Sequence, residues 1–514
     1  MRKNFVIVLF CLANLSLFAQ HYRDTVYQYT FGGIQNDICN QIRATPDGGF
    51  IMIGTTNSFG AGATDFYAVK VDSNFNHQWS ATYGGGMSDE GFSVTPTLDK
   101  GYAFVGFTNS YGAGGYDVLL VKTDSTGKEQ WQKTYGSSDW DFGYSVKQTS
   151  DSGYVICGLT YSYGKGNGDV YVIRTDKKGD TAWTKAVGDS GYDIGKSVYV
   201  EFDSLYFITG STTSYGCADT NVYLVELNNK GIVLKDTAYG GVKKTTIGNS
   251  IEPQDQGGFV ISGYSDISTS SMRMSPFFIM MDDNAHIQTW DTNVDFHTGV
   301  NICNDGIQCP DYLYVAACTG NEAALGGLDM MTMLMYYAPG NKGNGSYDEG
   351  PYEGGTGNDG ANSCAVANNA NVAFAGFTDS KGAGLSDIFV CRYKTCGNIR
   401  QDDSMYHVFK AYTDTLPITV GINEQVQNDI MVKVFPNPLS TDATVLVQAD
   451  VADKYSFSLY DINGKCVINK KQLSSSGYGQ AMLHFAKDGL QAGTYLYKVS
   501  DRNNKTVNGK IIIE

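Results

Sequence analysis

The chain is short of proline, histidine and tryptophan, and beyond its first twenty residues it has no long apolar run. Only 10 of 514 residues are proline, 6 histidine and 5 tryptophan, against 61 glycine and 35 tyrosine. Scarce proline beside abundant glycine excludes a collagen-like or proline-rich disordered chain and suits many short strands joined by tight turns. Scarce histidine leaves little for the commonest catalytic constellations, and none of the six stands in H-E-x-x-H or beside a G-x-S-x-G elbow. The cysteines form no paired C-x-x-C spacing and no D-x-[DN]-x-[DN]-G loop occurs, so no metal site is expected, and no cofactor. Positive charge is short as well, with 37 Lys/Arg against 53 Asp/Glu and a formal net charge of −16. Residues 434–514 hold 9 Lys/Arg against 7 Asp/Glu, which leaves −18 on the first 433. So acidic a body repels phosphate backbones and argues against nucleic acid as a partner.

What is present begins with a targeting segment. Arg2 and Lys3 precede the almost wholly apolar stretch 5–18, and Ala19-Gln20 forms a cleavage zone. Residues 1–20 read as a removable signal peptide, because a membrane span needs ~20 apolar residues. Ten cysteines follow, destined for a compartment where disulfides form, and their pairing stays open. Cys303 and Cys364 read as equivalent positions of a repeat.

That repeat organises most of the chain. Gly106 has counterparts at Gly54, Gly158, Gly210, Gly263, Ala317 and Gly376, spaced 52, 52, 52, 53, 54 and 59 residues apart. Each unit holds four strand-sized pieces, a to d. The c piece DVLLVKTD recurs as DFYAVKVD, DVYVIRTD and NVYLVELN. Short runs of Val, Ile, Tyr and Phe bounded by Gly and Asp are strands, and four antiparallel strands per ~50 residues make a propeller blade. Seven a–b–c sets are followed by only six d strands. The missing one is at the other end: TVYQYTFGG (25–33) matches HQWSATYGG (77–85). The sequence therefore predicts an all-β, seven-bladed propeller over 21–394, closed by its N-terminal strand so that no sheet edge stays open. Residues 395–430 read as a linker. Residues 431–514 carry about seven short strands and the turn Asn463-Gly464, which predicts a small Ig-like β-sandwich.

The units resemble the bacterial seven-bladed propeller repeat family labelled SBBP, through Gly84-Gly85…Asp89, Gly101-Tyr102…Gly106-Phe107-Thr108 and the c strand from Asp117. That resemblance implies a fold and no shared catalytic residues. The C-terminal module resembles the type A sorting domain of the type IX secretion system. Its motif residues are Pro436, Asn437 and Pro438, then Gly464 and Lys465, then Gly493 and Tyr495. The resemblance implies passage across the outer membrane, and a sortase-like enzyme that removes the domain and releases or tethers the protein at the cell surface.

Two sets of side chains suggest a ligand face. Asp37, Asp89, Asp141 and Asp193 open successive a strands, and Phe59, Tyr111, Tyr163 and Tyr215 sit in b-to-c loops on the same side. Aromatics and carboxylates together suit sugars; equally, each Asp can cap its own turn and each ring can pack between blades. Thr246, His297 and Asn358 read as the replacements for Asp in the last three repeats. The expected function is a secreted or surface propeller that binds or adheres to glycan or protein without catalysis. The alternative is an extracellular polysaccharide hydrolase or lyase.

Overall fold

The structure, a computed structural model, describes residues 25–215, 219–240, 245–255, 257–266, 274–291, 300–309, 313–321, 327–336, 346–368, 371–394, 406–413, 430–435, 442–449, 455–461, 465–477, 480–487, 490–491, 493–502 and 506–513. The readings at 1–20, His297, Pro436, Asn437, Pro438 and Gly464, and over most of 395–430, lie outside them. Among the described residues no helix is long and apolar enough to cross a membrane.

Seven sheets of the described residues are propeller blades, each an antiparallel a-b-c-d meander. In the first, these strands are Asp37–Ala44, Phe50–Thr56, Asp65–Val71 and His77–Tyr83. The b and c strands of blades 1 to 3 are buried almost throughout. They read as continuous apolar runs because both of their faces lie against neighbouring sheets. The d strands of blades 1 to 4 form the outer rim and are largely solvated. Each a strand packs on the preceding blade, and Asp37–Ala44 packs on Asp359–Val366 and Val372–Thr378 of the seventh, which closes the ring.

The closing strand is where the count of d strands puts it. Thr25–Gly32 pairs antiparallel with Asp387–Tyr393, Gln28 opposite Cys391 and Phe31 opposite Ile388. The stretch read as a linker contains a strand. Tyr406–Thr413 is a fifth strand of this sheet, parallel to Thr25–Gly32. Tyr412 stacks on Phe31 at 5.2 Å between ring centres and covers the edge the closing strand would otherwise expose. A segment used once in the fold leaves no period to find.

The pairing register also corrects the alignment of the less regular blades. The residue facing strand a two places after its start is Gly54 in blade 1 and Cys318, rather than Ala317, in blade 6. The a strands of blades 6 and 7 start at Asn301 and Asp359, so the counterparts of Asp37 are these residues and not His297 and Asn358. Cys303 then matches Cys39, whereas Cys364 matches Ile42, and the two are not equivalent.

Blades are joined at their rims by tryptophan. Trp79, Trp131 and Trp183 lie over Gly127, Gly179 and Gly231 in the c–d turn of the following blade. A Cβ on Gly127 would come 2.7 Å from the Trp79 ring. The ends of the d strands are stitched to the same turns, as Tyr83 donates to the Gly127 carbonyl at 2.6 Å and Tyr135 to that of Gly179 at 2.7 Å.

The C-terminal module is a sandwich of two four-stranded antiparallel sheets. They share a core in which Val445, Val447 and Phe485 of one meet Phe457, Leu459, Val499 and Ile511 of the other. Of its motif, Gly493 opens the strand Gly493–Ser500, and Tyr495 is buried with its hydroxyl donating to the Gln491 carbonyl at 2.9 Å. Lys465 is exposed.

Candidate functional site

The four aspartates expected at the ligand face are turned inward. Asp37, Asp89, Asp141 and Asp193 are fully buried. Each Oδ2 accepts a backbone N–H four residues earlier, from Gly33, Gly85, Ser137 and Asp189 at 2.7–3.0 Å. Each also accepts the hydroxyl of Ser58, Ser110, Ser162 or Ser214 at 2.6–2.7 Å. Asp359 repeats the arrangement with Gly355 and Ser380. These carboxylates tie the d–a turn to the b–c loop and are not offered to a ligand. Burial raises the Asp37 and Asp89 carboxyls above the usual range.

A second set of aspartates opens the c strands. Asp65 Oδ2 accepts from Gly62 N–H at 2.8 Å, and Asp117, Asp169 and Asp387 cap their loops likewise. Gly84 sits between Asp65 and Asp89 so closely that a Cβ there would meet both carboxylates. Burial, with the neighbouring Asp89 adding to it, pushes Asp65 up to about 8, and burial with Asp37 nearby pushes Asp387 up to about 6.

Three of the four expected aromatics stay on the surface, and none of the four lines the channel cavity. Tyr111, Tyr163 and Tyr215 are half-exposed and Phe59 is buried. Tyr111 and Tyr163 donate to the Gly84 and Gly136 carbonyls of the preceding blade's turn at 3.0 and 3.2 Å. Tyr215 shares a 2.8 Å hydrogen bond with Tyr223, and Phe59 packs on Tyr67. They clamp loops.

The site that the fold builds lies in the channel. Every a strand carries a β-bulge three residues after its start. A bulge adds one unpaired residue and re-aims its side chain. Here the extra residues are Asn40, Phe92, Tyr144, Lys196, Asn249, Asn304 and Asn362 in blades 1 to 7, and all seven line one cavity of about 380 Å³. The asparagines knit neighbours together. Their amide nitrogens donate to the carbonyls of Gly91, Cys303, Ala361 and Cys39 in the next blade at 2.8–2.9 Å. Each oxygen is left as an acceptor, and Asn249 gives its own to Lys196 Nζ at 2.7 Å. Blades 2, 3 and 4 give up the amide stitch for Phe92, Tyr144 and Lys196.

Below this ring the channel is plugged by charge. Arg43 reaches Glu252 at 2.7 Å and Asp305 at 3.3 Å, and Lys147 lies 3.5 Å from Glu252. Burial works against the Arg43 cation, but Glu252 and Asp305 outweigh it and raise its pKa; burial lowers that of Lys147 despite Glu252. Asp305 also accepts the Ser250 and Ser363 hydroxyls, so four blades are tied across the axis.

From Phe92 and Tyr144 an aromatic strip runs outward over blades 2 to 4. Phe92 meets Tyr144 edge-on at 5.3 Å and Phe107 face-on at 5.5 Å. Phe107 meets Phe142 at 4.9 Å, and Tyr116, Trp140, Tyr161 and Tyr192 continue at 5.8, 6.3 and 6.4 Å. Trp140 is 50% exposed. Apart from Phe107, none of these residues belongs to the repeated pattern, so the period of the chain does not point to them. The signal available was the residue after the a-strand glycine (Gly91, Gly143, Gly195, Gly248), where the repeats diverge.

Residues 433–514 match the family model described as the secretion system C-terminal sorting domain. This tail marks the protein for type IX secretion, to the medium or the cell surface of a Gram-negative bacterium. No curated protein matches the chain. Among solved structures it is similar to PorZ, a surface component of the type-IX secretion system of Porphyromonas gingivalis, at 11% identity and TM-score 0.40, over 94% of this chain and 60% of that one. A puromycin hydrolase aligns at 9% identity and TM-score 0.45, over 80% and 58%. The propeller domain of the Trilobed protease from Pyrococcus furiosus aligns at 9% identity and TM-score 0.39, over 69% and 94%. The chain spans about three fifths of the length of the first two.

Proposed function

We propose that this is a non-catalytic binding propeller, exported through a signal peptide at 1–20 and the sorting tail, that holds carbohydrate chains at its channel mouth. The observation that carries the reading is the aromatic strip ending in a cavity ringed by carboxamides. Sugars present CH faces that stack on rings and hydroxyls that need acceptors, and this mouth supplies both side by side. The alternative of a polysaccharide hydrolase or lyase would use a carboxylate pair or a carboxylate with His297. Two carboxylates do converge in the channel, Glu252 and Asp305, but both hold the Arg43 guanidinium. On this reading a sortase-like enzyme removes the tail, and adhesion to glycan is the work of the propeller.

The test is binding of the purified protein to a glycan array, repeated with Trp140→Ala and Tyr161→Ala. Each lost stacking contact is worth about 1 kcal/mol, so affinity should fall roughly fivefold per substitution with the unfolding temperature unchanged. Wild-type protein that captures no saccharide would sink the reading.

A further inference from the structure

The bulge ring contains one charged side chain, Lys196. Its ammonium donates to Asn249 Oδ1 at 2.7 Å, and among the described residues no carboxylate pairs with it. The other channel cations are accounted for: Arg43 and Lys147 are matched by Glu252 and Asp305, which leaves the plug neutral. A half-buried ammonium without a counter-charge is costly, and a chain with 53 acidic residues has ample means to supply one. Burial alone lowers the Lys196 pKa to about 8. Blade 4 replaces the amide stitch that Asn provides in four other blades by the bond from Lys196 to Asn249 of blade 5, a bond that needs a donor but no charge.

We infer that the mouth takes an acidic carbohydrate, with one anionic substituent seated on Lys196 and a sugar face on Tyr144 and Phe92. This rests on the carbohydrate reading and narrows its ligand class. An incoming anion completes the charge balance that the blade leaves open, and the acceptor oxygens of Asn40, Asn304 and Asn362 take the hydroxyls around it. The cavity, about 380 Å³, is within the range of small-molecule sites, ~300–1,000 Å³. The strongly acidic remainder of the molecule works against indiscriminate capture of polyanions, so preference for an acidic ligand must come from a local site.

The experiment compares the whole chain's binding to polygalacturonate with binding to its fully methyl-esterified form, and to dextran sulfate with binding to dextran. Each pair differs only in charged substituents, and the two pairs separate carboxylate from sulfate as the anion read. At least one charged form should bind about tenfold or more tightly than its neutral partner, as expected for a charge-assisted hydrogen bond. Lys196→Met should abolish that preference, read as the ratio of affinities for the charged and neutral forms, and Lys196→Arg should keep most of it. Thermal unfolding of both variants establishes that they fold. Equal binding of charged and neutral forms, or a preference that survives Lys196→Met, overturns this inference and leaves the carbohydrate reading standing. Failure of every saccharide to bind removes both.

Discussion

At the residue scale, the repeated acids and the unrepeated bulge residues serve opposite purposes. A side chain that recurs at 52-residue spacing meets the same neighbours in every blade, so its chemistry is spent on the blade. Asp37, Asp89, Asp141 and Asp193 fit that rule, each enclosed by its own turn N–H and a serine hydroxyl. The c-strand aspartates carry a testable cost. Asp65, held up at about 8 by burial and by Asp89, keeps its proton in the fold over a range where the unfolded chain releases it. Such a group favours folding below the unfolded value of 3.8, and that contribution is lost as pH rises toward 8. Asn can accept the same loop N–H, and blade 4 already places Asn221 there. Asp65→Asn should therefore unfold with wild type near pH 4 and be more stable by on the order of 1 kcal/mol or more at pH 8. Thermal unfolding across that pH range checks it; a difference that does not change with pH would refute the account.

At the scale of elements, two strands from outside the regular repeats decide whether the ring holds. Thr25–Gly32 was legible in advance because it is a repeat fragment displaced to the front of the chain. Tyr406–Thr413 was not, because it pairs parallel on the rim and copies nothing. Their residues should differ in weight. Phe31 is fully buried between the seventh and first blades, whereas Tyr412 caps the junction from outside with its ring on Phe31. Phe31→Ala should cost about 3–5 kcal/mol and Tyr412→Ala about 1 kcal/mol, read from denaturant midpoints of the propeller transition. Equal losses would mean that the outer strand, and not the displaced one, carries the closure. Irregular spacing in blades 5 to 7 also explains why the alignment slipped by one residue at Cys318 and Asp359 and by four at Asn301: a slip of one is invisible in a period but shows at once in the pairing.

At the scale of the whole molecule, an acidic propeller is joined to a sorting tail, and on the proposed function the first binds and the second delivers. Deleting 433–514 should leave a folded propeller in the periplasm, with none in the medium or on the surface, as followed by fractionation and proteolysis of intact cells; unchanged surface delivery would defeat the assignment. The amino-acid sequence by itself determined the blade repeat, the strand that closes it and the route of export. All three are written in local patterns or in copies of a pattern, and an alternating strand or a recurring glycine means the same wherever it lies. Only the tertiary structure decided which side chains line the channel mouth. The channel mouth takes one residue from each of seven strands some fifty positions apart, at a bulge whose extra residue interrupts the alternation. Its asymmetry, four asparagines against Phe92, Tyr144 and Lys196, has meaning only once the blades stand in a circle and those seven positions share one cavity.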